Sequence, residues 1–211
     1  YVAYKDYYWM MDMTEELLRH VSLAVAGVEE VQFGDKLIDF GKPFERISIL
    51  DAIKKYGDID VKAMDEETLR TTCKSKGIHA DEKMGRGKMI DELFGELVEH
   101  HLIQPTFIID YPVEMSPLTK KHRDNPELTE RFELIINGKE IANCYSELND
   151  PIDQRERFMH QLSLSEKGDD EAMFVDQDFL RALEYGMPPT AGIGIGMDRL
   201  VMLLTNQQSI Q

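Results

Sequence analysis

Apolar residues follow two rhythms along this chain. Between residues 5 and 26, Leu17, Leu18, Val21, Ala24 and Val25 recur at three- and four-residue spacing. That spacing predicts a helix, with Gly27 suited to the left-handed position beyond its end. Residues 28–40 instead predict a hairpin folded about Gly34-Asp35. After the extended stretch Lys42-Pro43-Phe44-Glu45-Arg46, Ser48 is placed to cap a short helix from Ile49 to Tyr56. Residues 58–104 are charged and helical in rhythm, with no strand signal. There Asp65 caps one expected helix and Gly87 precedes another, Lys88 to His101. Strand signals return at 106–111 and stop at Pro112. An irregular loop with a basic end follows, and Pro126 to Thr129 is expected to form a helical turn. Helices are predicted at Asp153–Leu164 and Asp176–Tyr185, the second stopped by Gly186 and Pro188-Pro189, and a last element spans Ala191–Leu204.

Strands joined by hairpins, with helices segregated from them, predict an α+β fold. The expected architecture is an antiparallel sheet flanked by helices, with residues 58–104 as a small peripheral helical insertion whose charges form a solvated face. The alternation of strand and helix that builds a doubly wound parallel sheet is missing.

Residues 131–150 carry the first chemical pattern. Leu134, Ile135 and Ile136 are strand formers, and Asn137-Gly138 is a strong signal for a two-residue type I′ turn. The hairpin also holds Glu133, Glu140, Glu147, Asn143 and Tyr145. Carboxylates in an apolar sheet are costly unless they meet cations. A two-residue turn pairs Ile135 with Glu140 and Glu133 with Ala142, which leaves Glu133 and Glu140 as diagonal neighbours about 7–8 Å apart. That separation suits Mg²⁺ held largely by phosphate oxygens. Strict alternation would then turn Asn143, Tyr145 and Glu147 to the other face. A single site therefore requires a β-bulge near Ile141-Ala142. The plain alternative is a solvent-facing acidic strand.

The second pattern is Gly192-Ile193-Gly194-Ile195-Gly196-Met197-Asp198-Arg199-Leu200. In a strand, alternate glycines strip one face of side chains while Ile193 and Ile195 pack on the other. A flat ligand can lie on such a face. The chain then enters a helix whose first turn brings Arg199 over the bared surface, where a guanidinium can stack on a base or grip phosphate. The spacing differs from the dinucleotide fingerprint, which opens a helix after a parallel strand. The plain alternative is a close-packed glycine strand. Together the two patterns describe a nucleotide floor, an Arg clamp, a metal pair and a further carboxylate for a positive group. No Ser/His/Asp or Cys/His grouping suggests a protein nucleophile, so positioning and electrostatics must carry the chemistry.

Composition narrows the setting. The chain has 211 residues, is 42% hydrophobic and carries a net charge of −16. Such acidity disfavours DNA and anionic membrane as partners. Cys73 and Cys144 are far apart in sequence and lack metal-ligand spacing, so a reducing, cytoplasmic setting is expected. No apolar run reaches membrane length. The chain opens abruptly in dense aromatic sequence, Tyr1 to Trp9, and is expected to be the C-terminal part of a larger protein.

The stretch Gly192–Leu200 resembles motif 3 of class II aminoacyl-tRNA synthetases, and residues 137–151 resemble the signature of the lysine-specific branch. Tyr1–Tyr7 and Pro105–Leu118 match that branch as well. The resemblance covers nearly the whole chain and implies activation of L-lysine with ATP, followed by transfer to tRNA(Lys). It further implies Glu133 and Glu140 as Mg²⁺ ligands, Arg199 on adenine and phosphates, and Gly192, Gly194 and Gly196 as the ATP floor. Asn143 would hold the lysine carboxylate and Glu147 the ε-ammonium, with Tyr1 and Tyr145 lining the pocket. Burying an ammonium requires a carboxylate partner, and the aspartate and asparagine branches carry an Arg near Glu147. Cys144 stands where the family commonly has Gly, so strain at the bulge could differ. A homodimer is implied for the intact protein. The dimer-forming motif 1, motif 2 and the anticodon-binding domain should precede Tyr1, so the fragment alone is expected to be inactive. Two alternatives share these motifs: a lysyl-transferase that modifies a translation factor, and a non-catalytic amino-acid sensor.

Overall fold

The computed structural model describes residues 1–165 and 175–210. Strand β1 (Val2–Ala3) leads into helix α1 (Tyr7–Ala26). The Asp6 side chain caps α1 by accepting from the Trp9 amide, and Gly27, at φ 73°, ends it in the left-handed region. Strands β2 (Glu30–Phe33) and β3 (Lys36–Asp39) form the predicted hairpin as a separate two-stranded sheet. Then come β4 (Glu45–Ser48), α2 (Ile49–Gly57), α3 (Glu66–Ser75), α4 (Arg86–Leu97) and β5 (Thr106–Ile109). Ser48 and Asp65 cap their helices as expected. The second half of the chain holds β6 (Arg131–Ile136), β7 (Lys139–Ser146), α5 (Pro151–Ser165), α6 (Gln177–Glu184), β8 (Thr190–Ile195) and α7 (Met197–Leu204).

The main sheet runs β1-β8-β7-β6-β5-β4. Every neighbouring pair is antiparallel except β4 and β5, which run parallel. The sheet is therefore mixed rather than wholly antiparallel. The reason is the connection: α2, α3 and α4 lie between β4 and β5 and return the chain to the end from which it left. The α+β class holds, and one local element differs from expectation. Pro126 and Glu127 form a turn, not a helical one, and Leu128 and Thr129 bridge to Pro112 and Lys121. Those bridges draw the irregular loop back along itself, so its backbone groups bond across the loop.

The two faces of the sheet carry different covers. One face contributes Phe107, Phe132, Leu134, Ile136, Cys144 and Ala191 to a core closed by Tyr7, Met10, Met11 and Leu18 of α1 and Leu200 and Leu203 of α7. The other face contributes Ile108 and Ile135, which share a core with Ile53 of α2, Leu69 of α3 and Met89, Ile90 and Leu93 of α4. Each such side chain stabilises the fold by about 1.5–3 kcal/mol when fully buried. Residues 58–104 thus put their apolar side chains into the core that α2, Ile108 and Ile135 share. Farther along the same face, over β7 and β8, Gly194 and Gly196 are exposed. The fold covers half of one sheet face and leaves the other half open.

Candidate active site

The β6–β7 hairpin turns at Asn137 (φ 50°) and Gly138 (φ 66°), the pair of positive dihedrals a type I′ turn needs. Ile135 pairs with Glu140, as the turn dictates. Beyond that the register shifts. Leu134 pairs with Ala142 and Glu133 with Asn143, so Ile141 is the extra residue of a β-bulge. The expected pairing of Glu133 with Ala142 is replaced for this reason. The cause is apolar: Ile141 and Ala142 are adjacent in sequence yet both enter the α1–α7 core. Two consecutive residues can face the same side of a strand only if parity breaks. The break turns Glu140, Asn143 and Tyr145 to the open face together with Glu133, whose strand partners they or their neighbours are.

Glu133 does not stand alone. Arg131, two residues earlier on the same face, donates to Glu133 Oε1 at 2.5 Å. Asn143 Nδ2 donates to the same oxygen at 3.2 Å, and Arg131 Nε donates to Asn143 Oδ1 at 3.3 Å. Burial pushes the Glu133 carboxyl above its ordinary value, the Arg131 charge opposes this, and the negative charge of Glu140 reinforces it. Arg131 was not singled out in the sequence. The signal that could have found it is parity, because residues 131 and 133 share a face of β6.

Glu140 is more exposed and belongs to a different neighbourhood. Arg199, in the first turn of α7, donates Nη1 to the Glu140 carbonyl at 2.7 Å and lies 3.8 Å from its Oε2. Glu133 and Glu140 thus sit on one face, each beside a guanidinium. Among the described residues no three His, Cys, Asp or Glu side chains converge as a metal cage. A donor set of two carboxylates fits an ion that takes its remaining ligands from phosphate oxygens, the usual habit of Mg²⁺.

Glu147 lies beyond the end of β7, fixed by its amide to the Thr190 carbonyl at 2.8 Å. Its carboxylate makes no ion pair or side-chain hydrogen bond with the described residues, and burial pushes it up to about 7 although the Tyr1 N-terminal ammonium pulls the other way. A Cβ built on Gly192 would overlap Glu147 Oε1 and lie 2.6 Å from the Tyr1 ring. Gly192 therefore brings Glu147 and Tyr1 together over the strand, although Tyr1 itself is largely exposed. At Gly194, paired with Asn143, a Cβ would meet nothing within 4 Å among the described residues, so the floor there is open. At Gly196 a Cβ would touch the Ile141 carbonyl and the Arg199 side chain. Tyr145 pairs with Gly192 on the neighbouring strand and sets its ring 5.6 Å from the Arg131 guanidinium. The structure thus places all ten sequence-predicted residues along β6, β7, β8, the start of α7 and the start of the chain. Cys144 points the other way, into the apolar core, where burial raises its thiol far above the reactive range.

A mixed sheet with one bared face, a glycine strand running into an Arg-bearing helix and a bulged acidic hairpin define a known class. Residues 1–211 match the family of tRNA synthetases class II (D, K and N), and the chain belongs to that family. Within it, the chain is 64% identical over 211 residues to the lysine–tRNA ligase of Porphyromonas gingivalis (strain ATCC 33277). It is 64% identical to the lysine–tRNA ligase of Christiangramia forsetii and 61% identical to that of Azobacteroides pseudotrichonymphae. All of this chain is covered in each case, against 36%, 37% and 42% of the respective relatives. The chain therefore spans well under half the length of these curated relatives.

Proposed function

We propose that the protein carrying this chain activates L-lysine with ATP and transfers the lysyl group to tRNA(Lys). The observation that carries this reading is Glu147, a partly buried carboxylate bonded to no side-chain cation among the described residues, whose titration burial raises to about 7 against the pull of the Tyr1 ammonium. Such a group is poorly placed in the empty site and well placed once an ammonium enters. Aspartate or asparagine, the other substrates named by the family, offer no cation there.

In this reading Asn143 holds the lysine carboxylate through Nδ2, and Glu147 receives the ε-ammonium beside Tyr1 and Tyr145. The adenine lies on Gly194 and Gly196, and Arg199 turns from Glu140 to stack on it and reach the phosphates. Glu133 and Glu140 are the residues that hold Mg²⁺, which when bound neutralises phosphate charge. One lysine carboxylate oxygen attacks the α-phosphorus, the bond to the bridging oxygen breaks, and pyrophosphate leaves with its electron pair. No described side chain needs to move a proton in this step, since the attacking carboxylate is already ionised. A homodimer, a cytoplasmic setting and tRNA(Lys) as acceptor belong to the same reading. Among the described residues no helix is long and apolar enough to cross a membrane.

Lysine-dependent ATP–pyrophosphate exchange by the complete protein tests the proposal. Exchange with lysine and not with aspartate or asparagine is expected. Lysine binding without exchange supports a sensor instead. Exchange followed by transfer to a protein rather than to tRNA(Lys) supports a translation-factor transferase.

A further inference from the structure

The hairpin holds a residue whose contacts join the two halves of the site, and its role rests on the lysine-activating reading above. We propose that Arg131 is a positioning residue that fixes the orientation of Asn143 and the place of Glu133, and thereby sets lysine affinity.

Arg131 uses its guanidinium as a four-way joint. Nη2 donates to Glu133, Nε donates to Asn143 Oδ1, and Nη1 donates to the Met115 carbonyl at 2.9 Å and the Ser116 hydroxyl at 3.0 Å. Its faces are flanked by Tyr111 at 4.4 Å and Tyr145 at 5.6 Å. Only 14% of the side chain is accessible, so these bonds are little screened by water. The loop that supplies Met115 and Ser116 is itself held by Arg157, which donates to the carbonyls of Val113 and Ser116. The anchor is therefore rigid on the side away from the substrate.

The consequence falls on an amide. Asn143 offers one acceptor, Oδ1, and one donor group, Nδ2. Arg131 is a pure donor and Glu133 a pure acceptor, and they meet opposite ends of that amide. The reversed amide would set Nδ2 against the guanidinium and Oδ1 against the carboxylate, losing both bonds. Arg131 and Glu133 thus lock Asn143 with Nδ2 toward the metal-side carboxylate and leave the second Nδ2 hydrogen for the substrate carboxylate. The same guanidinium holds the Tyr145 ring at the wall of the lysine pocket. A lysine at 131 retains the charge beside Glu133. It lacks the planar fork that meets Asn143, Met115 and Ser116 at once.

The test uses the complete protein and two measurements: lysine binding by calorimetry without nucleotide or metal, and lysine-dependent ATP–pyrophosphate exchange. Arg131→Lys is expected to weaken lysine binding roughly 10- to 100-fold, the usual cost of losing a residue that orients a ligand-holding group. Lysine KM should rise in parallel, with ATP KM within about twofold. Arg131→Met should unfold at lower temperature, and Arg131→Lys should recover that stability without recovering lysine affinity. Arg131→Lys with unchanged lysine affinity, or with lower stability and unchanged KM values in the folded fraction, overturns the proposal. If Arg131→Lys does not fold, Ser116→Ala removes one anchor of the fork and should weaken lysine binding about threefold. Unchanged affinity there overturns it equally. A wild-type protein that shows no lysine-dependent exchange refutes the functional reading itself, a result visible before any variant is made.

Discussion

The Glu147 carboxylate occupies space that a Cβ at residue 192 would need, and the Tyr1 ring closes over the same glycine. Glycine at 192 is thus a steric condition on the ammonium subsite, although its own backbone is ordinary extended strand. Gly192→Ala is expected to displace Glu147 or Tyr1 and raise the dissociation constant for lysine roughly 10- to 100-fold, a loss of about 1.4–2.8 kcal/mol. ATP affinity should change little, because the nucleotide floor lies farther along β8. Calorimetry with lysine and with ATP, separately, checks the pair of outcomes.

The titration of Glu147 gives a pH dependence with a definite sign. Its folded-state value, about 7, lies above the ordinary carboxylate range because of burial. The neutral form is therefore favoured in the empty fold, and ionisation opposes folding as pH rises toward 7. Lysine needs the ionised form. Lysine affinity should rise between pH 6 and pH 8 and then level off, with proton release on binding in the lower part of that window. Glu147→Gln should bind lysine weakly at every pH and lose the dependence. The same variant should melt higher than wild type at pH 8 and converge with it at pH 4.

Glu133 and Glu140 share a proposed role but differ in surroundings, so their stability effects should part. Glu133 pairs with the partly buried Arg131. Glu133→Ala removes the guanidinium's only carboxylate among the described residues while its bonds to Asn143, Met115 and Ser116 remain, and its cost should be about 1–3 kcal/mol. The Glu140 side chain is 43% accessible and pairs only loosely with Arg199. Glu140→Ala should change stability by less than about 0.5 kcal/mol. Both variants should need more Mg²⁺ for exchange. Chemical denaturation and Mg²⁺ titration of activity separate the two effects.

Gly194 gives the reverse case, in which a residue costs the fold nothing and function much. Among the described residues no heavy atom lies within 4 Å of a Cβ placed there, and the backbone is extended. Gly194→Val should keep or slightly raise the melting temperature, since a β-branched residue suits a strand. Its methyl groups would stand on the open floor, and ATP affinity should fall at least about tenfold. Melting curves and nucleotide titration give both numbers from one preparation.

Much of this site was legible in the order of residue types. Asn137-Gly138 announced the turn, and the alternating glycines announced a bared strand. Five polar residues on one hairpin required a parity break, and the break lies at Ile141, within the dipeptide where it was expected. The local rules that carry such inferences act over a few residues, so one sequence suffices. Arg131 escaped because its meaning comes from Met115, Ser116 and Asn143, none of which is its neighbour in sequence. The parallel pairing of β4 with β5 escaped because a four-residue strand, Glu45–Ser48, has too little pattern to reveal its partner.

By itself, then, the sequence determined the α+β class, the helix caps, the turn, the bulge and the types of charge the site would hold. Each follows from dihedral preference, spacing or the cost of burying a charge. The tertiary structure alone decided which half of the sheet face stays open, because that depends on where α2, α3 and α4 gather their apolar side chains into one core with Ile108 and Ile135. It alone decided that Glu133 has a guanidinium bonded to it while Glu147 is bonded to no side-chain cation among the described residues. Both carboxylates look alike in the chain. Only the fold places a guanidinium beside one and leaves the other in a partly dry space waiting for a cation.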